Sequence, residues 1–257
     1  MSLKSVQPVR LALRSGIIAL LLAAGCRNAP QPAVSSQSQP DKPSQAARSA
    51  QPESAQAYGQ ERSGRRRSKR GHAEQVGTPG VFDFYLLNLS WSPEFCATHG
   101  NSTECGHGLG FVVHGLWPQD FSGDYPEDCS DAPGPADPQQ YTDLIPTVGL
   151  IQHEWETHGT CSGMASDAYF AAIRKADTAV RIPADIGTGE DASGVTPQEL
   201  LGRFAKSNPG YPQGSFALSC GNNQLTAIEI CLGKDLQPEI CQGVRSCRAN
   251  SIRVTPK

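Results

Sequence analysis

The sequence predicts an α+β domain with an antiparallel central sheet and helices packed around it. Three observations predict it. A β-rich, mostly apolar run stands at 81–91. Further β-rich runs stand near the end of the chain, at 216–219, 225–231 and 251–254. Between them lie stretches with helical periodicity and helix-start signals. Strands at both ends with helices between them point to one such domain of about 180 residues.

The elements follow in order. Val81 to Trp91 reads as a central strand, because nearly every side chain in it is apolar. Residues 92–109 hold Cys, Gly and Asn and read as a loop. Gly110 to His114 is a short second strand, and the Asp-, Pro- and Gly-rich residues 119–140 form a loop. Helices are expected over 141–147 and 150–159. A third, amphipathic helix covers Asp167 to Val180, with Asp167 as a cap near its start. Thr196-Pro197-Gln198-Glu199 begins a fourth, with Pro at the first helical position and a capping-box Glu three after the Thr. No internal repeat is visible.

The N-terminal third has a different character. Residues 1–25 resemble an export signal: Lys4, Arg10 and Arg14 precede a short apolar core from Gly16 to Ala24. That core is too short to span a bilayer, which needs roughly 20 apolar residues. Small residues before Cys26 resemble a bacterial lipobox, although Ala23 stands where Leu is usual. The expectation is lipidation at Cys26, an exported, periplasmic or cell-surface protein, and a membrane anchor; without the lipid the chain would be secreted. Residues 26–75 are rich in Gln, Ser, Pro and Ala and read as a disordered tether, since they cannot bury enough apolar surface to offset chain entropy. Within it, Arg62 to Arg70 reads as a solvated basic run, with a contact for RNA phosphates or anionic lipid head groups as the sharper alternative. The folded domain is placed at 76–257.

Charge and cysteines narrow the chemistry. Residues 76–257 carry ten Lys and Arg against twenty-one Asp and Glu. Such a domain has no broad basic footprint, so any nucleic acid must be held by a focused pocket. Removing Cys26 from the nine cysteines leaves eight, at 96, 105, 129, 161, 220, 231, 241 and 247. In an exported chain these read as four disulfides, and spacing does not choose the pairing.

Two histidine-bearing stretches stand out. One is Phe111-Val112-Val113-His114-Gly115-Leu116-Trp117-Pro118. The other is His153-Glu154-Trp155-Glu156-Thr157-His158-Gly159-Thr160-Cys161. On a helical wheel His153, Glu154, Thr157 and His158 share a sector of about 140°. Trp155 falls just beyond its edge and reads as packing, and Glu156 points away. Glu154 and His158 are at i and i+4, so the carboxylate is expected to favour the imidazolium and raise the pKa of His158. The zinc-protease pattern needs two histidines four apart, and here they are five apart. Three histidines plus Glu154 remain a conceivable zinc set. Cys96, His99, Cys105 and His107 are a second one, although a Cys96–Cys105 disulfide is simpler.

Both stretches resemble the two active-site signatures of the ribonuclease T2 family, in the family's order. The resemblance runs from about Val81 to Pro256 and includes Trp91-Ser92-Pro93-Glu94-Phe95-Cys96. It implies a metal-free, cofactor-free cleavage of single-stranded RNA by a monomer, with DNA inert for want of a 2′-hydroxyl. By resemblance His158 is the general base, His114 the general acid, His153 holds the phosphate and Glu154 assists at phosphorus. Trp117, Gln119 and Phe121 stand where the family contacts bases, although Trp117 could equally be core. The family usually has Lys or Arg at the position of Thr157, so activity is either reduced or supported by a cation from elsewhere. The resemblance also implies the pairs Cys96–Cys105 and Cys129–Cys161, with Cys220–Cys247 nested around Cys231–Cys241. Two rivals stand beside the enzyme: a weakened or inactive relative that binds RNA or protein, favoured by Thr157, and a zinc-dependent hydrolase.

Overall fold

The computed structural model describes residues 77–257. The export signal, Cys26 and the tether lie outside the described residues. Among those described, four strands form one antiparallel sheet in the order β2-β1-β4-β3. The strands are β1 (Phe84–Trp91), β2 (Phe111–Gln119), β3 (Phe216–Gly221) and β4 (Gln224–Leu232). The helices are α1 (Ser92–Thr98), α2 (Val148–Thr157), α3 (Ser166–Ala179) and α4 (Pro197–Ser207). None of these helices is long and apolar enough to cross a membrane.

β1 is central and all eight of its residues are buried. Its alternation divides the domain. Tyr85, Leu87, Leu89 and Trp91 join the large core shared with Trp155, Tyr169, Phe170 and Phe204 of the helices. Phe84 and Leu86 face the other way and pack with Cys231, Trp117, Cys241 and Val244. Asn88 and Ser90 share that second face by their spacing.

The structure differs from the sequence expectations at several boundaries. β2 runs on through Pro118 to Gln119. Proline is tolerated there because β2 is an edge strand. Ser92–Thr98, expected as loop, is a short helix begun by Pro93. No α-helix covers 141–147; a 3-10 turn at Pro138–Tyr141 stands nearby, held by Asp137, which accepts from the Gln139 amide. Thr147 then caps α2 through the Leu150 amide at 3.2 Å. α2 ends at Thr157, and a 3-10 turn, Gly159–Ser162, follows. The cap of α3 is Ala165, and Asp167 instead accepts from the Tyr141 hydroxyl at 2.7 Å. The capping box of Thr196 and Glu199 is present. Ser251 to Val254 contributes isolated bridges and no ladder.

Four disulfides link Cys96–Cys105, Cys129–Cys161, Cys220–Cys247 and Cys231–Cys241. The first uses both thiols of the Cys96, His99, Cys105, His107 set, which rules out thiolate ligation there. The second fixes the chain just past α2. The same loop holds α2 a second way, with the Asp128 amide donating to the Thr157 carbonyl at 2.9 Å.

Candidate active site

β2 brings His114 and Trp117; α2 and its end bring His153, Glu154 and His158. The two stretches meet. The His114 ring lies 5.2 Å from Trp117, Trp117 lies 5.1 Å from His158, and His158 lies 6.3 Å from His153, centre to centre. His114 is the residue skipped in the β1–β2 register: Asn88 pairs with Gly115 and Leu89 with Val113. That extra residue is a β-bulge, which breaks the ladder locally and re-aims a side chain.

Glu154 is wholly buried at the centre. Its Oε2 accepts from the Trp117 indole N–H at 2.8 Å, and its Oε1 lies 3.3 Å from His114 Nε2. The carboxyl comes this close because residue 115 is glycine. A Cβ on Gly115 would sit 1.9 Å from Glu154 Oε2 and 2.6 Å from Trp117 Nε1. Gly159 serves similarly on the other side, where a Cβ would meet the Trp155 ring at 2.5 Å. Trp155 is core, and its indole N–H donates to the Ala132 carbonyl. Glu156 is exposed.

Burial sets the protonation pattern. Desolvation pushes Glu154 up to about 8, partly offset by the Trp117 hydrogen bond. Desolvation, helped by the charge of His153, drives His114 down to about 3. Desolvation, with His153 and His114 adding to it, also holds His158 well below its ordinary value. This corrects the wheel argument, which expected Glu154 to raise His158. His158 is the C-cap of α2 with φ of −114°, off the regular helix, and the carboxyl turns to Trp117 and His114 instead.

A pH dependence of stability follows. A depressed histidine costs stability as pH falls from about 6.5 toward the folded value, because only the unfolded chain takes up the proton. A raised carboxyl costs stability as pH rises from about 4.5 to about 8, because only the unfolded chain releases it. Between these two ordinary values two histidines outweigh one carboxyl; above pH 6.5 the carboxyl acts alone. Thermal stability is therefore expected to peak at about pH 6.5, and Glu154→Gln to flatten the alkaline side. A melting temperature that climbs steadily to pH 8 would contradict the buried neutral carboxyl.

The remaining expected residues sort clearly. Thr157 is buried, with Oγ1 3.4 Å from His153 Nδ1. Phe121 is 43% exposed and stacks on Phe84 at 5.5 Å. Gln119 is buried and its amide nitrogen donates to the Pro118 carbonyl at 2.9 Å, which leaves little of it for a base. Trp117 is half-buried and serves Glu154, so neither pure core nor a free platform describes it. His153, Glu154 and His158 offer ligand atoms within 4.8 Å of one another, so a divalent ion would find three donors there. Sequence reasoning missed Ser90, which reaches His114 from β1, and Asn88, which accepts from Ser90. The signal was visible as two polar residues inside an otherwise apolar strand.

A ribonuclease from Aeromonas hydrophila is 47% identical over 91 residues, 35% of this chain and 42% of that protein. A probable ribonuclease from Haemophilus influenzae is 32% identical over 180 residues, 62% of this chain and 61% of that protein. The chain thus spans about half the length of these curated relatives. Among solved structures, a mutant of RNase MC1 in complex with 5′-GMP superposes with a TM-score of 0.54 at 25% identity, covering 67% of this chain and 99% of that one. Residues 82–241, which hold both histidine stretches and three of the four disulfides, match the ribonuclease T2 family, and the chain belongs to that family.

Proposed function

We propose that this chain is a metal-independent endoribonuclease that cleaves single-stranded RNA by transphosphorylation. It yields 2′,3′-cyclic phosphates first and 3′-phosphates after hydrolysis. One observation carries the reading: His114, His158 and the buried Glu154 converge on Trp117, with Glu154 Oε1 3.3 Å from His114 Nε2. His158 is held unprotonated by burial, and its buried Nδ1 has no hydrogen-bond partner among the described residues. It takes the proton from the ribose 2′-hydroxyl. The 2′-oxygen attacks phosphorus, and the bond to the 5′-oxygen breaks. His114 protonates that leaving oxygen, and Glu154, 3.3 Å from His114 Nε2, holds a proton for it at neutral pH. His153, half-buried beside His158 and Thr157, holds the phosphate. Phe121 presents an exposed ring to a base, a contact worth roughly 1–3 kcal/mol.

Family membership and the nucleotide bound by the RNase MC1 mutant support RNA as the substrate. DNA, lacking the nucleophile, is inert. The chain acts as an exported monomer anchored through Cys26, with residues 26–75 as the leash.

The test is cleavage of an RNA oligonucleotide with and without EDTA. Undiminished activity and a cyclic phosphate as first product are expected. Loss of activity in chelator would point instead to a metal on His153, Glu154 and His158. A single 2′-deoxy sugar at the cleaved position should block the reaction.

Thr157 carries no charge where the family usually has Lys or Arg. Loss of one electrostatic donor typically costs on the order of 10²–10³ in rate. Thr157→Lys is expected to raise turnover. An unchanged or lower rate would show that the hydroxyl beside His153 matters more than the missing charge.

A further inference from the structure

β1 is apolar except for Asn88 and Ser90, and both are buried, at 4% and 6% exposure. A buried polar group without a partner costs about 1–3 kcal/mol, so what these two bond to is informative. Ser90 Oγ lies 3.1 Å from His114 Nδ1 and donates to Asn88 Oδ1 at 3.4 Å. A hydroxyl has one proton. With that proton on Asn88, Ser90 presents lone pairs to the imidazole, and Nδ1 must be the donor. We propose that Asn88 and Ser90 form a positioning relay that holds His114 in its Nδ1–H tautomer, so that Nε2 is the atom at which the moving proton comes and goes. The inference rests on the ribonuclease reading, because it names what aims the general acid.

The surroundings agree. Glu154 faces Nε2 at 3.3 Å, and its carboxyl proton needs an acceptor there. Trp117 meets the His114 ring edge-on, and His153 acts on it through charge. Across the sheet, Glu229 pairs with Asn88 on the same face and accepts from the Ser219 hydroxyl at 2.8 Å. A polar row thus backs the relay from β4. The Nδ1–H···Oγ bond persists in both neutral and charged imidazole. His114 can therefore gain and lose its proton on the pocket side with no rotation of the ring. The same logic orients histidines elsewhere: a partner on one ring nitrogen decides the job of the other.

The experiment has two arms. In ¹⁵N-histidine-labelled protein at neutral pH, the imidazole signals that vanish in His114→Ala should show a protonated Nδ1 and an unprotonated Nε2. The opposite pattern, with Ser90 donating to Nδ1, would overturn the proposal. In the kinetic arm, Ser90→Ala should lower kcat roughly 10- to 100-fold, the range seen when the hydrogen-bond partner of a metal-bound histidine is lost, with KM little changed and the tautomers mixed. Ser90→Thr, which keeps the hydroxyl, should restore both. An unaltered kcat and an unaltered tautomer in Ser90→Ala would overturn it as well. The tautomer arm does not depend on activity: wild-type protein that fails to cleave RNA removes the proposed function, and the spectra still decide the relay.

Discussion

Replacing either His114 or His158 by alanine is expected to lower RNA cleavage by roughly 10²–10⁴-fold, the range for a lost general acid or base. The two losses should not add. Base and acid act in one displacement, so the double variant should be little worse than the poorer single one. Both histidines are buried, at 5% and 8% exposure, so a melting curve of each variant accompanies the rates. The wild-type rate should trace a bell against pH, because one limb needs His158 unprotonated and the other needs a proton on the His114–Glu154 pair. Single-turnover rates from pH 4 to 9 check this. A flat profile, or a His158→Ala variant with near-normal turnover, would remove the acid–base assignment.

The second large effect lies at a residue with no chemistry of its own. Gly115→Ala places a methyl group 1.9 Å from Glu154 Oε2. Glu154 cannot yield cheaply, because it is wholly buried and its helix is tied down by the Cys129–Cys161 bond. Overpacking costs about 1–3 kcal/mol. Breaking the Trp117–Glu154 hydrogen bond inside the protein costs roughly another 1–3 kcal/mol. For a domain of this size each kcal/mol is about 2–4 °C of melting temperature, so a drop of roughly 4–24 °C is expected. Activity should fall further than stability explains, since a displacement near 1 Å can cost about 10²-fold. A variant with normal melting and normal turnover would show that the carboxyl is free to move, and that the tight approach at Gly115 serves neither fold nor site.

Much of this protein was legible in the chain. Most of the run at 81–91 is a central strand, Phe84–Trp91, and it is nearly all apolar because both of its faces are buried. Thr196 and Glu199 announce a helix start because they satisfy its first amides. His114 and the 153–158 cluster were identifiable by their pattern, and the fold brings them together around Trp117. Local chemistry of this sort depends on neighbours a few residues away, and the sequence holds those neighbours.

The tertiary structure decided what happens between elements. A helical wheel relates Glu154 to His158, but it cannot say that the carboxyl will find Trp117 and His114 from another strand. The register of β1 against β2 turns His114 into a bulge and puts Ser90 at its back. Protonation inverted for the same reason. A wheel assigns charges as though water surrounded them, whereas burial withdraws that water and keeps Glu154 neutral and His158 unprotonated. The sequence by itself marked out the groups to which the proposed chemistry is assigned. Only the packing of β2 against α2 decided which of them hold protons and where those protons point, because desolvation and cross-element hydrogen bonds exist only once the chain has folded.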